Sequence, residues 1–431
     1  MDEIISIIKK EEERQKETIN LIPSENYPSK YVLTVEGSYL ISKYAEGYPG
    51  RRYYQGTTLI DQTESLAIKR AKKLFGVPYA NVQPYSGSIA NAAILFALCS
   101  PGDKIAGLKL SSGGHLTHGH PKITFSGKYF KSVQYEVDKK GRLDYERVEK
   151  LLKKEKPKVI FAGTTAYPFE IDFEKFGKIA DAVGAYLVAD ISHISGLVVA
   201  GLHPNPVSHA HLLMTTTHKM LRGPRGAILM VTDKGIKFDP ELPDKLDRAI
   251  FPGLQGGPHE NTIGGIAICL NEALSKDYKK YCEQIIKNSQ ALKEELIKKG
   301  IKIWGSENHL MVLDFSEFVG GYQMAKALEV TGIIVNKNTL YFEKGSPIYP
   351  SGIRIGTPAA TTRGMKELEM KKIVGWIFKV YQLVKNWKMP VEKEEKKLFL
   401  EKFEKWLKNN NELIEIKREV NSFAKKFPLR I

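Results

Sequence analysis

Cysteine is scarce in this chain: Cys99, Cys269 and Cys282 are its three, widely separated and without metal-ligand spacing. That excludes a disulfide framework and a cysteine-built metal centre, so no metal is expected; it suits a reducing compartment, the cytoplasm. Long apolar runs are missing too. None reaches membrane-spanning length, so no membrane partner is expected. The opening residues Met1-Asp2-Glu3-Ile4-Ile5-Ser6 carry neither the basic start nor the apolar core of a secretory signal. No internal repeat or low-complexity linker interrupts the chain.

Acidic residues are in the minority: 49 Asp and Glu against 65 Lys and Arg give a formal charge of +16. An excess of that size raises the question of a nucleic-acid or membrane-surface partner. The lysines, however, are interleaved with glutamates, as in 9–14 and 392–397. Mixed-sign runs of this kind form solvated helix faces. A small anionic, phosphate-bearing ligand on a Lys/Glu-rich surface explains the charge better than a nucleic acid does, and such a surface also suits a hot environment. What remains is an ordinary soluble composition, 42% hydrophobic and 26% charged, over 431 residues, enough for two or three domains and a large core.

The spacing of apolar residues predicts a helix from about Ile4 to Thr18, closed by Leu21-Ile22-Pro23, where proline stops helix formation. Residues 43–58 are rich in Tyr, Gly and Arg and follow neither a helical nor a strand period, so a long ordered loop is expected there, commonly a functional feature. From Asp61 the pattern alternates. Helices are expected at 62–75, 89–98 and 173–183, and strands at 104–108, 158–162, 185–190, 211–214 and 227–231, which indicates an α/β domain with a mostly parallel sheet covered on both faces. Beyond about Gly265 a helical stripe (Tyr278, Tyr281, Cys282, Ile285, Leu292, Leu296), short strands at 311–315 and 353–355, and three Lys/Glu-rich helices describe a smaller α+β domain.

Chemistry centres on Thr215-Thr216-Thr217-His218-Lys219, where an apolar strand should end, followed by the turn Gly223-Pro224-Arg225-Gly226. A lysine on that junction, walled by apolar neighbours, gives up its proton more readily than a solvated one and can serve as an amine nucleophile toward an aldehyde. Most strand-end lysines are solvated charges, so the reading needs company. Pyridoxal phosphate (PLP) requires an acid for its ring nitrogen, an anion cradle and a flat neighbour. Asp190 ends an apolar strand where α/β sheets bind ligands, although an aspartate there also suits a helix cap. Ser86-Gly87-Ser88 at a helix start offers backbone donors and the positive end of the dipole, or an ordinary cap. His115, in a glycine-rich stretch, could stack or be a structural donor. Arg354, alone in an apolar strand, has either a buried partner or an anionic ligand.

Taken together, these residues resemble the serine hydroxymethyltransferase family. The matching strings are 43–54 (Lys-Tyr-Ala-Glu-Gly-Tyr-Pro-Gly-Arg-Arg-Tyr-Tyr), 113–119 (Gly-Gly-His-Leu-Thr-His-Gly), 215–219 with 222–225, and 251–258 (Phe-Pro-Gly-Leu-Gln-Gly-Gly-Pro), in the family's order, within a likeness that runs from Leu21 to about Arg363. The resemblance implies the PLP-dependent transferase fold type I (aspartate aminotransferase-like): an amino-terminal helical arm at 1–20, a large PLP-binding α/β domain at 21–273 with a mostly parallel seven-stranded sheet, and a small α+β domain at 274–431. It implies that Lys219 holds the cofactor, His218 tunes the reaction, Asp190 pairs with the ring nitrogen, His193 and Thr165 lie near the cofactor hydroxyl, Ser86, Gly87 and Ser88 hold the phosphate, Gly257 also binds the cofactor, and His115 stacks on the ring. Ser24, Tyr44, Tyr54 and Arg354 would grip the amino acid, with Arg225 ordering the floor. The 44–54 loop and the Gly256-Gly257 turn would reach a neighbouring subunit, which makes a homodimer the minimum assembly.

The implied reaction is the reversible interconversion of serine and glycine with a reduced pterin as one-carbon carrier. Glu46, among tyrosines, would be the acid/base, since a carboxyl in that setting carries a proton near neutrality. Leu110, Gly114, Leu116 and Ser346 would line the pterin site. There the chain departs from the family. Where many relatives read Asn-Ser-Val-Pro-Asn-Asp, this chain has Asn338-Thr339-Leu340-Tyr341-Phe342-Glu343. A phenyl ring cannot replace an amide contact, so tetrahydromethanopterin is favoured over tetrahydrofolate, which would suit an archaeal source. Two other readings stay open: a pterin-independent β-hydroxy amino acid aldolase of threonine type, against which Glu46 and its tyrosines argue, and a basic binding protein that keeps the fold without the activity.

Overall fold

The computed structural model describes residues 2–341, 343 and 348–429. The chain packs as two compact units. One is Pro28–Glu283; the other joins the chain up to Tyr27 with the chain from Gln284 onward. This is a different partition from the sequence-based one at 20/21 and 273/274.

The larger unit is built on seven strands: β1 (Tyr79–Asn81), β2 (Lys104–Leu108), β3 (Lys131–Tyr135), β4 (Val159–Gly163), β5 (Tyr186–Asp190), β6 (Leu212–Thr216) and β7 (Ala227–Val231). Their spatial order is β1-β7-β6-β5-β4-β2-β3. From β6 to β3 every pairing is parallel, whereas β7 runs against both β6 and β1. Strands β4, β6 and β7 are buried at every position, which is why they read as unbroken apolar runs. Strand β3 lies at the edge and alternates in burial, with Lys131 exposed and Val133 and Tyr135 buried. Its polar positions hid it from the sequence reading. On one face, Ile94 and Leu95 of helix Gly87–Leu98 pack with Phe161, Val188, Leu212 and Leu229 from the central strands.

The segment expected to be one loop, 43–58, contains two short antiparallel pieces, Gly47–Tyr48 and Arg51–Arg52. Helix formation resumes at Thr58 and runs to Phe75, ended by Gly76 in a left-handed conformation.

The smaller unit carries an antiparallel sheet of β8 (Lys302–Trp304), β9 (Leu310–Asp314), β10 (Asn336–Asn338) and β11 (Gly352–Gly356), ordered β8-β9-β11-β10. Helices Glu367–Val384, Lys393–Asn409 and Asn411–Ala424 follow. Their apolar faces, including Trp376, Phe403, Leu407 and Val420, join Met311, Leu313, Ile353 and Ile355 of the sheet in one core. The amino-terminal helix Glu3–Glu17 belongs here as well, and Ile19–Asn20 pairs in parallel with Ile333–Ile334.

Arg363 ties these pieces together. It is 3% exposed. Its Nε donates to the carbonyl of Phe427 (2.6 Å), Nη1 to those of Gln15 (3.2 Å) and Thr18 (2.6 Å), and Nη2 to those of Lys16 (3.0 Å) and Ala424 (2.6 Å). These carbonyls lie at or just past the carboxyl ends of helices Glu3–Glu17 and Asn411–Ala424, where no intrahelical donor exists and a cation meets the negative end of the dipole. Replacing Arg363 by methionine strands several buried carbonyls, so we expect a loss of about 3 kcal/mol or more. It should appear as a lower denaturant midpoint, with Arg363→Lys recovering only part of the loss. A midpoint unchanged in the methionine variant would show that water satisfies these groups.

Candidate active site

Because they are parallel, strands β2, β4, β5 and β6 end on one side of the sheet, and β1 runs the same way, since it too is antiparallel to β7. Each ends at a residue singled out in the sequence. The 110–116 stretch follows β2, Thr165 follows β4, Asp190 closes β5 with His193 just beyond it, and His218-Lys219 follow β6. The helix beginning at Gly87 follows β1. This is the side on which open α/β sheets bind ligands.

Lys219 sits in a closed turn rather than on the strand itself. The Thr217 N–H donates to Gly226 (3.1 Å), the Gly223 N–H to Thr217 (2.8 Å), and the Thr217 hydroxyl to the Pro224 carbonyl (2.6 Å). Inside the loop, Arg222 adopts φ +57° and its N–H reaches the Lys219 carbonyl at 3.2 Å. The phenol of buried Tyr278 donates to the Met220 carbonyl (2.9 Å), and the Arg222 guanidinium lies 4.5 Å from the centre of the Tyr281 ring. A side chain at Gly223 would meet the Cys269 sulfur, so the turn is packed from behind as well. His218 is pushed down to about 3 by burial and then by the charges of Lys219 and Arg225, which leaves a neutral imidazole. Arg225 itself is exposed.

Asp190 is 7% exposed. Burial opposes its ionisation, but hydrogen bonds and nearby histidines outweigh burial and hold it below the usual carboxylate range. His118 Nε2 donates to Oδ2 at 2.8 Å, Asn91 Nδ2 to Oδ2 at 3.2 Å, and the Ser192 N–H to Oδ1 at 3.1 Å. The His118 ring is stacked on Phe161, centroids 4.8 Å apart and 7° from parallel. Gly163 makes room for the carboxylate's own Cβ, which lies 2.6 Å from where a side chain would start. Sequence reasoning missed His118 and Asn91. The available signals were a second histidine in the Gly113–Gly119 string and a lone amide in a helix of small apolar residues.

His115 is neutral by construction. The Thr117 N–H donates to its Nδ1 (3.2 Å), so the ring proton sits on Nε2, and burial pulls its pKa down to about 4. Its loop is seated by the Gly113 carbonyl, which accepts from the N–H groups of Thr165 (2.7 Å) and Ala166 (3.1 Å). Gly113 (φ +93°) and Gly114 are required there, because a side chain on either would strike the backbone of Ala166 or Leu108. Ser86 caps the helix through its hydroxyl, and Ser88 is exposed on the first turn. A Cβ at Gly87 would lie 2.7 Å from Thr216, so this glycine lets the helix approach β6.

A buried carboxylate held ionised, a neutral imidazole beside it, a capped helix start with hydroxyls, and a lysine in a rigid turn fit PLP. A second cluster forms in the same unit. Tyr44 and Tyr54 have ring centroids 5.0 Å apart, and the Tyr44 ring and the Glu46 carboxyl lie against Gly257 and Gly256. The backbone on both sides of Glu46 is fixed by Arg52, whose Nη1 donates to the carbonyls of Ala45 (2.7 Å) and Gly47 (2.9 Å), while Asp61 and Glu64 hold the rest of the guanidinium. Tyr85, next to Ser86, donates its phenol to the Gly257 carbonyl (2.6 Å) and stacks on His259.

In the smaller unit the segment bearing Ser24 borders β11: the Gly356 N–H donates to the Leu21 carbonyl (2.8 Å), and Pro23 packs on Gly356. Arg354 lies within β11, and its Nε donates to Asn336 (3.0 Å). Among the pterin candidates, Leu110 and Leu116 are exposed and Gly114 is buried. Ser346, like Phe342, lies outside the described residues. Among the described residues no helix is long and apolar enough to cross a membrane.

The serine hydroxymethyltransferase family model matches residues 1–377. The serine hydroxymethyltransferase of Acidothermus cellulolyticus is 53% identical over 88% of this chain and 87% of its own length. That of Desulfotalea psychrophila is 50% identical over 85% of each chain. A probable serine hydroxymethyltransferase of Mesomycoplasma hyopneumoniae is 46% identical over 99% of this chain and 96% of its own. With the PLP-fitting site and the fold-type-I sheet, these matches show that the chain belongs to the serine hydroxymethyltransferase family, PLP-dependent one-carbon transferases acting on serine and glycine.

Proposed function

We propose that this chain interconverts serine and glycine through the residues described above and passes the one-carbon unit to a reduced pterin, with tetrahydromethanopterin favoured over tetrahydrofolate. The observation that carries the site assignment is the ionised, buried Asp190 at the end of β5, with His118 and Asn91 spending their donors on it. Bound at such a site, PLP supplies an electron sink for one bond at the substrate α-carbon. Asp190 would keep a proton on the ring nitrogen, His115 would cover the ring face, Ser86, Gly87 and Ser88 would hold the phosphate, and Gly257 would bind the cofactor as well. Thr165 and His193 stand at the cofactor hydroxyl. Lys219 would provide the anchoring amine, and His218, neutral beside it, would tune the choice of reaction. Arg354, Ser24, Tyr44 and Tyr54 hold the amino acid, Arg225 orders the floor, and Glu46 moves the proton at the serine hydroxyl. Leu110, Gly114, Leu116 and Ser346 line the carrier site.

The carrier assignment rests on Phe342 standing where many members of the family have an amide; the three relatives named above lend an archaeal source no support. We further propose a homodimer in the cytoplasm. Tyr39 (96% exposed), Tyr53 (74%), Tyr31, Ile41 and Leu59 crowd one stretch of the chain, a concentration of exposed apolar surface that a monomer would hardly keep. The three cysteines are free, as a reducing compartment requires.

Asp190→Asn should lower kcat by roughly a thousandfold or more by weakening the ring-nitrogen charge, while the cofactor's visible absorbance persists. An unchanged kcat would remove Asp190 from the role given. For the carrier, serine turnover is compared with tetrahydromethanopterin, with tetrahydrofolate and with neither. Faster turnover with tetrahydrofolate overturns the carrier assignment, and equal turnover without any pterin establishes the aldolase. For the shared site, Lys219→Ala and Glu46→Gln chains, each inactive alone, are co-expressed. Sites built from two chains regain about a quarter of wild-type activity in the random mixture, and sites confined to one chain regain none.

A further inference from the structure

Glu46 has a fixed backbone and a side chain that depends on its neighbours. Arg52 holds the carbonyls on either side of it, and its own carbonyl accepts from the Tyr53 N–H (3.0 Å). The carboxyl rests on the turn Gly256-Gly257. A Cβ at Gly256 would lie 3.2 Å from Glu46 Oε1, and one at Gly257 would lie 3.1 Å from the Tyr44 ring. Neither glycine lies in the left-handed region, so backbone conformation does not demand glycine there; the close approach of Glu46 and Tyr44 does. The turn is the seat of that pair, and a seat is only as precise as its mount.

Two side chains fasten the turn to residues 83–85, just beyond β1. Gln255, 6% exposed, accepts from the Tyr85 N–H on Oε1 (3.0 Å) and donates from Nε2 to the Gln83 carbonyl (2.9 Å), which pins the start of the turn. At its far end the Tyr85 phenol donates to the Gly257 carbonyl (2.6 Å), with the phenol ring stacked on His259, centroids 4.2 Å apart and 7° from parallel. The mount is itself tied to β7, because the Ala227 N–H donates to the Pro84 carbonyl (3.1 Å).

We propose that Tyr85 is a positioning residue: its phenol holds the Gly256-Gly257 turn, and so the Glu46 carboxyl, at the place where that carboxyl meets the serine hydroxyl. The inference rests on the reading that Glu46 moves the proton there. Tyr85 acts through the turn and has no part in breaking the carbon–carbon bond. Where sites are shared between chains, residues 83–88 serve two of them: Ser86, Gly87 and Ser88 hold the chain's own cofactor, while Tyr85 steadies the acid/base lent to the neighbour.

The test uses the PLP-loaded enzyme with Tyr85→Phe, which keeps the ring and its stack on His259 and removes only the hydroxyl of a half-buried residue. Serine kcat and KM with the faster of tetrahydrofolate and tetrahydromethanopterin, the PLP dissociation constant and the melting temperature are measured. The proposal predicts a kcat lower by about tenfold, with serine KM and the PLP dissociation constant within about threefold of wild type. A merely structural hydroxyl would lower the melting temperature or the PLP affinity and leave kcat of the PLP-saturated enzyme unchanged, and that result overturns the inference. In the co-expressed Lys219→Ala and Glu46→Gln mixture, Tyr85→Phe on the Lys219→Ala chain, which supplies the working Glu46, should lower the regained activity by about tenfold, and on the other chain it should leave that activity unchanged. The reverse assignment overturns the inference. If the mixture regains nothing, kcat of the homogeneous Tyr85→Phe enzyme decides. A wild-type kcat in Glu46→Gln removes the role given to Glu46 and this inference with it, whereas lost turnover in Glu46→Gln beside a wild-type kcat in Tyr85→Phe removes this inference alone.

Discussion

The structure depends on keeping a carboxylate ionised where water does not reach it. Moving Asp190 into the interior opposes its charge, and a lone buried carboxyl would take up a proton. Three donors prevent that: the imidazole of His118, the amide of Asn91 and the backbone of Ser192. Each needs its own support. His118 is stacked on Phe161 of β4, Asn91 also donates to the Thr117 hydroxyl (2.9 Å), and Ser192 follows directly from β5. The anion thus recruits residues from the helix after β1, the loop after β2, and strands β4 and β5. That interdependence explains why the surrounding backbone tolerates so few side chains at Gly113, Gly114 and Gly163.

Neutrality around the anion matters as much as the anion. His115 and His218 are both driven well below the normal imidazole range by burial first, with neighbouring charges adding to it. The chain therefore places one fixed negative charge and one amine in the neighbourhood of the neutral imidazoles of His115 and His218. The Lys219 turn contributes rigidity instead of charge: its carbonyls are taken by its own backbone and by Tyr278.

What could be read in the sequence follows from what is local. Continuously apolar strands such as β4, β6 and β7 announce themselves because both their faces are buried, and the long strings of 43–54 and 113–119 point to one family. Helix Phe173–Val183 keeps its expected bounds, framed by the Asp172 cap and left-handed Gly184. Edge strand β3 was illegible because half of it faces solvent. The assistants Asn91, His118 and Tyr278 were illegible for another reason: their partners lie far along the chain, and nothing near them in sequence says what they touch. Gly87 shows the same limit, since nothing near it in sequence says that its helix packs closely on Thr216.

The two buried arginines of the smaller unit carry this point further. In sequence both are cations on or soon after the same strand, and composition gives no means of assigning them different work. Their acceptors separate them. Arg363 delivers its N–H groups to five backbone carbonyls at or beyond two helix ends, so its charge is absorbed by fixed dipoles that cannot leave, which makes it a structural bolt. Arg354 gives its Nε to a side-chain amide on the edge strand, a partner 18 residues away that only the sheet register brings opposite it.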